Sequence, residues 1–200
     1  MAMYPKRVKA AQFRVKFKDN FHLKNLYYLM HEWLVQEEWA TRSDKDFPEI
    51  FNGQNESALG GTEAWFVWRP TKAPTKTNYA NSNYYRWEMN ISGHVILLRS
   101  VEVMKDGKKF KTNWGEIEIL IDSWVVTDYK KEWENHPFLK HISDVFRSRL
   151  FKKQIVSLRD QLHRETYRFR EAIKDYLEMR MDLPESESQG EFFPRKGIGE

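Results

Sequence analysis

The chain has 200 residues, of which 40% are hydrophobic and 15% aromatic, enough apolar surface for a packed core and too much for a wholly disordered chain. It contains no cysteine, which excludes disulfides, thiolate metal sites and a cysteine nucleophile. Lysine plus arginine number 33 and aspartate plus glutamate 29, a net charge of +4, and no apolar run reaches the roughly 20 residues that a membrane-spanning helix needs.

The charge is unevenly placed. Residues 140–180 carry eleven bases and six acids, and residues 181–200 carry two bases and five acids. The expected organisation is a single α+β domain over residues 1–180, followed by an acidic tail, 181–200, that reads as disordered. The first residues lack the apolar stretch of a signal peptide, so the expected location is cytoplasmic.

Residues 7–17 alternate, with Ala11, Phe13, Val15 and Phe17 on one face and Gln12, Arg14 and Lys16 on the other. That period of two predicts a half-buried strand. Asp19 and Asn20 offer helix N-caps, and Leu23, Leu26, Tyr27, Met30, Trp33 and Leu34 give an amphipathic helix over about 21–39. Residues 40–61 are polar, with Phe47, Ile50, Phe51 and Leu59 packing down, and a short helix is the expectation there. Thr62–Arg69 is aromatic and β-branched, hence a strand that Pro70 ends. Residues 70–83 are turn-rich and read as a mobile loop.

From Tyr84 to Val126 the pattern is a long antiparallel meander. Tyr85, Trp87, Met89 and Ile91 face one way, and Ile117, Ile119 and Ile121 do so after the return. Asp106-Gly107 is a strong hairpin signal, and bends are expected near Gly93 and Gly115. Four or five strands are expected in all. Thr127 and Asp128 can cap a short helical turn through Trp133. Beyond Pro137 the chain reads helical to about Arg180, with a stripe of Ile142, Val145, Phe146, Leu150, Ile155, Leu158, Leu162, Phe169, Ile173 and Leu177. Forty such residues would extend roughly 60 Å, so either the helix breaks near Arg149–Lys152 or its distal half projects.

Chemistry is harder to find. There is no dinucleotide or phosphate-binding glycine loop, no HExxH and no GxSxG, so no catalytic residue, cofactor or metal is assigned. His136 and His141, five apart, do not share a helical face. Glu116, Glu118 and Asp122 lie on one side of a strand opposite isoleucines, the pattern of a wet sheet face. His94, beside a glycine, reads as a strand histidine facing solvent.

Tryptophan is abundant: eight residues, six of them in or beside the expected sheet or its exit. Trp65, Phe66, Tyr85, Trp87 and Met89 are the candidate lining of an apolar cavity between the sheet and the C-terminal helix, suited to a small apolar or lipid-like ligand. A solid core is the competing reading of the same residues. The function expected is therefore non-enzymatic binding. A second reading is an RNA- or ribosome-associated protein that uses the bases Arg147, Arg149, Lys152, Lys153, Arg159, Arg164, Arg168 and Arg170; the same face, with its apolar stripe, also suits a membrane surface. A third reading is an assembly protein, a homo-oligomer or partner complex seamed by Ile155, Leu158, Leu162, Phe169, Ile173 and Leu177.

The element order is strand, helix, irregular segment, antiparallel meander and long C-terminal helix. In that order the chain resembles the helix-grip arrangement of START and Bet v 1-like proteins, over about residues 7–178. The resemblance implies a curved sheet wrapped around a C-terminal helix with an apolar cavity between them, and lipid or other apolar ligand binding.

Overall fold

The computed structural model describes residues 6–57, 60–74, 84–105 and 108–179. The hairpin turn expected at Asp106-Gly107, most of the expected 70–83 loop and the acidic tail fall outside those residues.

The first alternating segment runs further than its clearest alternation. Strand β1 spans Arg7–Phe21, so Asp19 and Asn20 belong to the ladder, opposite Gly115 and Trp114. They are not caps: the first helix, α1 (Leu23–Gln36), starts from His22 with no side-chain cap. The short helix expected within residues 40–61 is reduced to one 3-10 turn. That turn, Asp44–Asp46, leads into strand β2 (Glu49–Glu56), which pairs with β3 (Thr62–Trp68). Pro70 ends β3, and the chain runs on along β5 in the same direction as the two-residue strand β4 (Thr71–Lys72). The long hairpin follows, β5 (Tyr85–Lys105) and β6 (Lys108–Thr127).

All pairings are antiparallel, in the order β1-β6-β5-β3-β2 with β4 beside β5, giving six strands where the alternation alone suggests four or five. The two strands missed were β2, a polar edge strand, and β4, two residues long; neither is long or apolar enough to declare its period.

The predicted faces hold. Ile91, Val95, Ile117, Ile119, Ile121 and Val125 are fully or almost fully buried on the inner side, where α1 and the C-terminal helix cover the sheet. The outer side carries the charges, paired diagonally across strands. Arg14 pairs with Glu118 at 2.7 Å, Lys16 with Glu116 at 2.5 Å, Lys9 with Asp122 at 3.1 Å and Arg7 with Glu88 at 3.0 Å.

The bends need correcting. The register slips between Ile96 and Arg99, where Leu97 takes a left-handed φ of 54°, so two residues of β5 oppose Gly115 of β6. A Cβ at Gly115 would approach the Ile96 carbonyl oxygen and Leu98 Cα at 3.2 Å, which explains glycine at the bend expected there. Gly93 is no bulge. It stays in register with Phe66 and Ile119, and its missing side chain is the space that the Phe66 ring occupies.

The C-terminal region is broken, one of the two outcomes that its length demands. Asp128 accepts hydrogen bonds from the backbone N–H of Trp133 and Glu134 at 3.1 and 3.0 Å, the cap expected for α2 (Glu132–Asn135). His136 Nδ1 accepts from the N–H groups of Phe138 and Leu139, starting α3 (Leu139–Val145). A π-helical turn, Phe146–Leu150, interrupts the path before α4 (Lys152–Met179). α4 lays Ile155, Leu158, Leu162, Phe169, Ile173 and Leu177 into the core. The stripe is therefore used up by the chain's own sheet, and the assembly reading loses the surface on which it rests. Ile142 is half-buried, and Val145 and Leu150, upstream of the break, are exposed.

Two outcomes test this account. Gly93→Ala forces a methyl into the Phe66 ring and is expected to cost about 1–3 kcal/mol in chemical denaturation; Phe66→Leu in the same chain should recover part of that loss. The second concerns acid. The hydrogen bond from Lys16 holds the Glu116 carboxyl below the ordinary value of 4.5, and the hydrogen bond from Arg14 does the same for Glu118. Carboxyls depressed in the folded state contribute stability above pH 4.5 that is lost as pH falls through their lower folded values. Melting temperature at low salt should therefore drop on acidification, and Glu116→Gln with Glu118→Gln should flatten part of that slope.

Candidate functional site

Three places gather functional side chains. The first is the interior beneath α4, where the sequence places a cavity. Tyr85, Trp87 and Met89 are there, each at most 3% exposed, among Ile91, Ile121, Leu158 and Leu162. Tyr85 donates its hydroxyl to Gln154 Oε1 at 2.9 Å. The Thr166 hydroxyl bonds the Leu162 carbonyl at 2.8 Å and the Ser123 hydroxyl at 2.9 Å, tying α4 to β6. These residues act as core, the competing reading of the same pattern.

Within that core lies a charged pair that sequence reasoning missed. Running on along β5 beyond Pro70, the chain places Lys72 opposite Trp87, and its ammonium sits 3.2 Å from both carboxylate oxygens of Glu165 on α4. Side-chain exposures are 7% and 16%, so the pair is shielded from solvent. Trp39 Nε1 donates to the same carboxylate at 3.1 Å. The ammonium lies 5.7 Å from the Trp39 ring and 5.9 Å from the Trp87 ring, and the two indoles stack at 6.3 Å. Trp87 is thus a wall of a cage filled by the chain's own lysine. Lys72 lies in a stretch rich in turn residues, and Glu165 is one of several acids on a mixed-charge helix, so nothing local marked either.

The second place is a cleft of about 420 Å³ where the start of α1 meets β2 and β3. Tyr27, Tyr28 and Leu23 form the helix wall, Ala64 and Phe66 face them from β3 with Trp65 between the two in the lining, and Asn52, Gln54 and Asn113 supply polar groups. The walls are braced from behind. Tyr27 meets Trp68 edge-on at 4.7 Å and Phe66 at 5.9 Å. Glu49 Oε1 accepts from the Tyr27 hydroxyl at 2.5 Å, from Trp68 Nε1 at 3.2 Å and from Asn52 Nδ2 at 3.1 Å. Trp65, turned to the outer face, stacks on His94 at 5.1 Å and 13°. Two of the five expected lining residues, Trp65 and Phe66, therefore border a cleft, but at α1 and not at α4. Of their partners on α1, Tyr27 lies on the apolar face that the spacing predicts, and Tyr28 carries no signal of its own beyond being an adjacent aromatic.

The third is the C-terminal basic series. Arg147 is buried, at 2% exposure, and burial raises the Tyr84 phenol above its ordinary value, with Arg147 acting in the opposite direction. Arg168 is held by Glu37 through two bonds of 2.9 and 3.1 Å. Arg159 pairs with Asp160, and Arg170 with Glu171 while lying over the Phe13 and Tyr167 rings. Arg149, Lys152, Lys153 and Arg164 are exposed. The eight bases thus do not form one continuous surface.

Among the described residues no group of three or more histidines, aspartates or glutamates is placed to hold a metal ion, and no helix is long and apolar enough to cross a membrane. No protein-family model and no curated protein matches the chain. Among solved structures it is similar to an uncharacterised protein from Rhizobium leguminosarum, with 9% identity over 81% of this chain and 98% of that one and a TM-score of 0.17. A likeness at that level carries no argument.

The ion pair makes a sharp prediction. Lys72→Met leaves the Glu165 carboxylate buried without its cation and is expected to cost about 3–5 kcal/mol, whereas Lys72→Met with Glu165→Gln should lose clearly less. Urea unfolding of the two variants measures the difference.

Proposed function

We propose that this protein is a non-enzymatic binding module that takes a small apolar or planar ligand in the cleft between α1 and the β2–β3 hairpin. The observation that carries the reading is the cleft itself: about 420 Å³, walled by aromatic rings, with a few amide side chains at its margin. That volume and that mixture suit a small-molecule site. Bracing of Tyr27 and Trp68 through Glu49 supports a preformed wall, which lowers the ordering cost of binding. The helix-grip resemblance agrees with a ligand on the side of the sheet that the helices cover, although here the volume lies beside α1 because the space beneath α4 is filled.

A neutral fluorescent naphthylamine probe tests the reading. Saturable binding is expected, and Ala64→Phe, which fills the cleft from the strand wall, should weaken it at least about tenfold, the equivalent of about 1.4 kcal/mol. Absence of saturable binding, or binding unchanged by Ala64→Phe in a protein that melts normally, would sink the proposal.

A further inference from the structure

The break in the C-terminal helical region leaves large apolar side chains exposed. Phe138 is 67% exposed, Val145 45% and Leu150 62%. Phe138 and Val145 are seven residues apart, two helical turns, and Leu150 follows Val145 by five, the hydrogen-bond interval of a π turn. They therefore share one side of the α3–π segment, while Ser143 and Arg147 are buried on the other. Exposed side chains of this size in one short segment mark a contact surface.

Charge says what kind of surface would meet it. Residues 138–153 hold five bases and one acid, Asp144. Four of the bases, Lys140, Arg149, Lys152 and Lys153, are exposed around the apolar side chains. Lys130 and Lys131, just before α2, are exposed too. Of the two acids in α2, Glu134 is paired with Lys6 at 2.8 Å and Glu132 is exposed.

From this juxtaposition we infer that the α3–π segment docks on an anionic lipid surface, with Phe138, Val145 and Leu150 entering the headgroup boundary and the surrounding bases meeting lipid phosphates and carboxylates. A basic helix with a valine and a leucine at its exposed crest suits that role. A phosphate backbone would be met by the bases, and of the three apolar side chains only Phe138 offers a ring on which a nucleobase could stack, whereas a lipid boundary takes all three. The surface lies at the end of the sheet where β5 begins and β6 ends, away from the α1 cleft, and the inference does not rest on the binding reading above.

Co-sedimentation of the full chain with vesicles tests it. Binding is expected to mixed phosphatidylcholine–phosphatidylserine vesicles and not to phosphatidylcholine alone, and it should weaken with salt. Phe138→Ser with Leu150→Ser should weaken it at least about tenfold, since two buried apolar anchors are lost. Lys152→Glu with Lys153→Glu should weaken it as well. Both pairs are exposed, and unchanged melting temperatures confirm that the fold persists; Leu150→Glu alone serves as the check if the double variant does not fold. No binding to anionic vesicles overturns the inference, as does binding that survives the serine pair. An RNA oligonucleotide that binds more tightly than the vesicles, indifferent to the serine pair, also overturns it and assigns the bases to nucleic acid.

Discussion

The structure depends on one constraint, the two-residue alternation over residues 85–95 of β5 and 117–127 of β6. Ile91 opposite Ile121, and Val95 opposite Ile117, put a continuous aliphatic surface on one side. That surface cannot stay in water, and each buried aliphatic side chain contributes about 1.5–3 kcal/mol. Everything else is arranged to cover it or to extend it. β1 adds to the open edge of β6, α1 shields the β3 side, and α4 lies across the β1–β6 side with its own stripe of isoleucine and leucine. A one-residue slip would reverse the faces and expose all of it. The slip in the β5–β6 ladder, at Leu97–Leu98, falls beyond this stretch, opposite a glycine.

The two sides of the sheet use charge differently. On the outer face, acids and bases alternate across β1 and β6 in solvent, where each pair contributes little and the main effect is to keep the face wet and the register singular. Beneath α4 there is one shielded pair, Lys72 with Glu165, enclosed by two indoles. Such a pair adds little net stability, but its geometry is demanding. It fixes where β4 meets α4, joining residues 93 apart in the chain. In this way a segment made of turn residues becomes part of the core.

The break at residues 146–150 follows from the same covering requirement. A straight helix from Pro137 would run past the sheet, and its early residues would have no apolar surface beneath them. The chain bends there, Arg147 turns inward toward Tyr84, and Val145 and Leu150 are left outside. The candidate cleft has a comparable origin. α1 starts directly from β1, crosses toward β3 and leaves room between Tyr28 and the strand wall.

Much of this was legible in the sequence. Strands β1, β3, β5 and β6, helix α1, the Asp128 cap and the buried stripe of α4 all follow from spacing, because a residue's face in a strand or helix is set by neighbours two, three or four positions away. The α+β class followed from the order of those elements. β2 and β4 did not, since an exposed polar edge strand and a two-residue strand have no period to read. The aromatic-rich meander showed that large rings had to be buried, but not which would be core and which would border a cleft. Tyr85, Trp87 and Met89 went one way and Phe66 the other, with Tyr27 and Tyr28 facing it, while the Trp65 ring turned to the outer face. That division depends on where α1 and α4 lie on the sheet. Contacts between residues dozens of positions apart decide it, and only the tertiary structure brings those residues together.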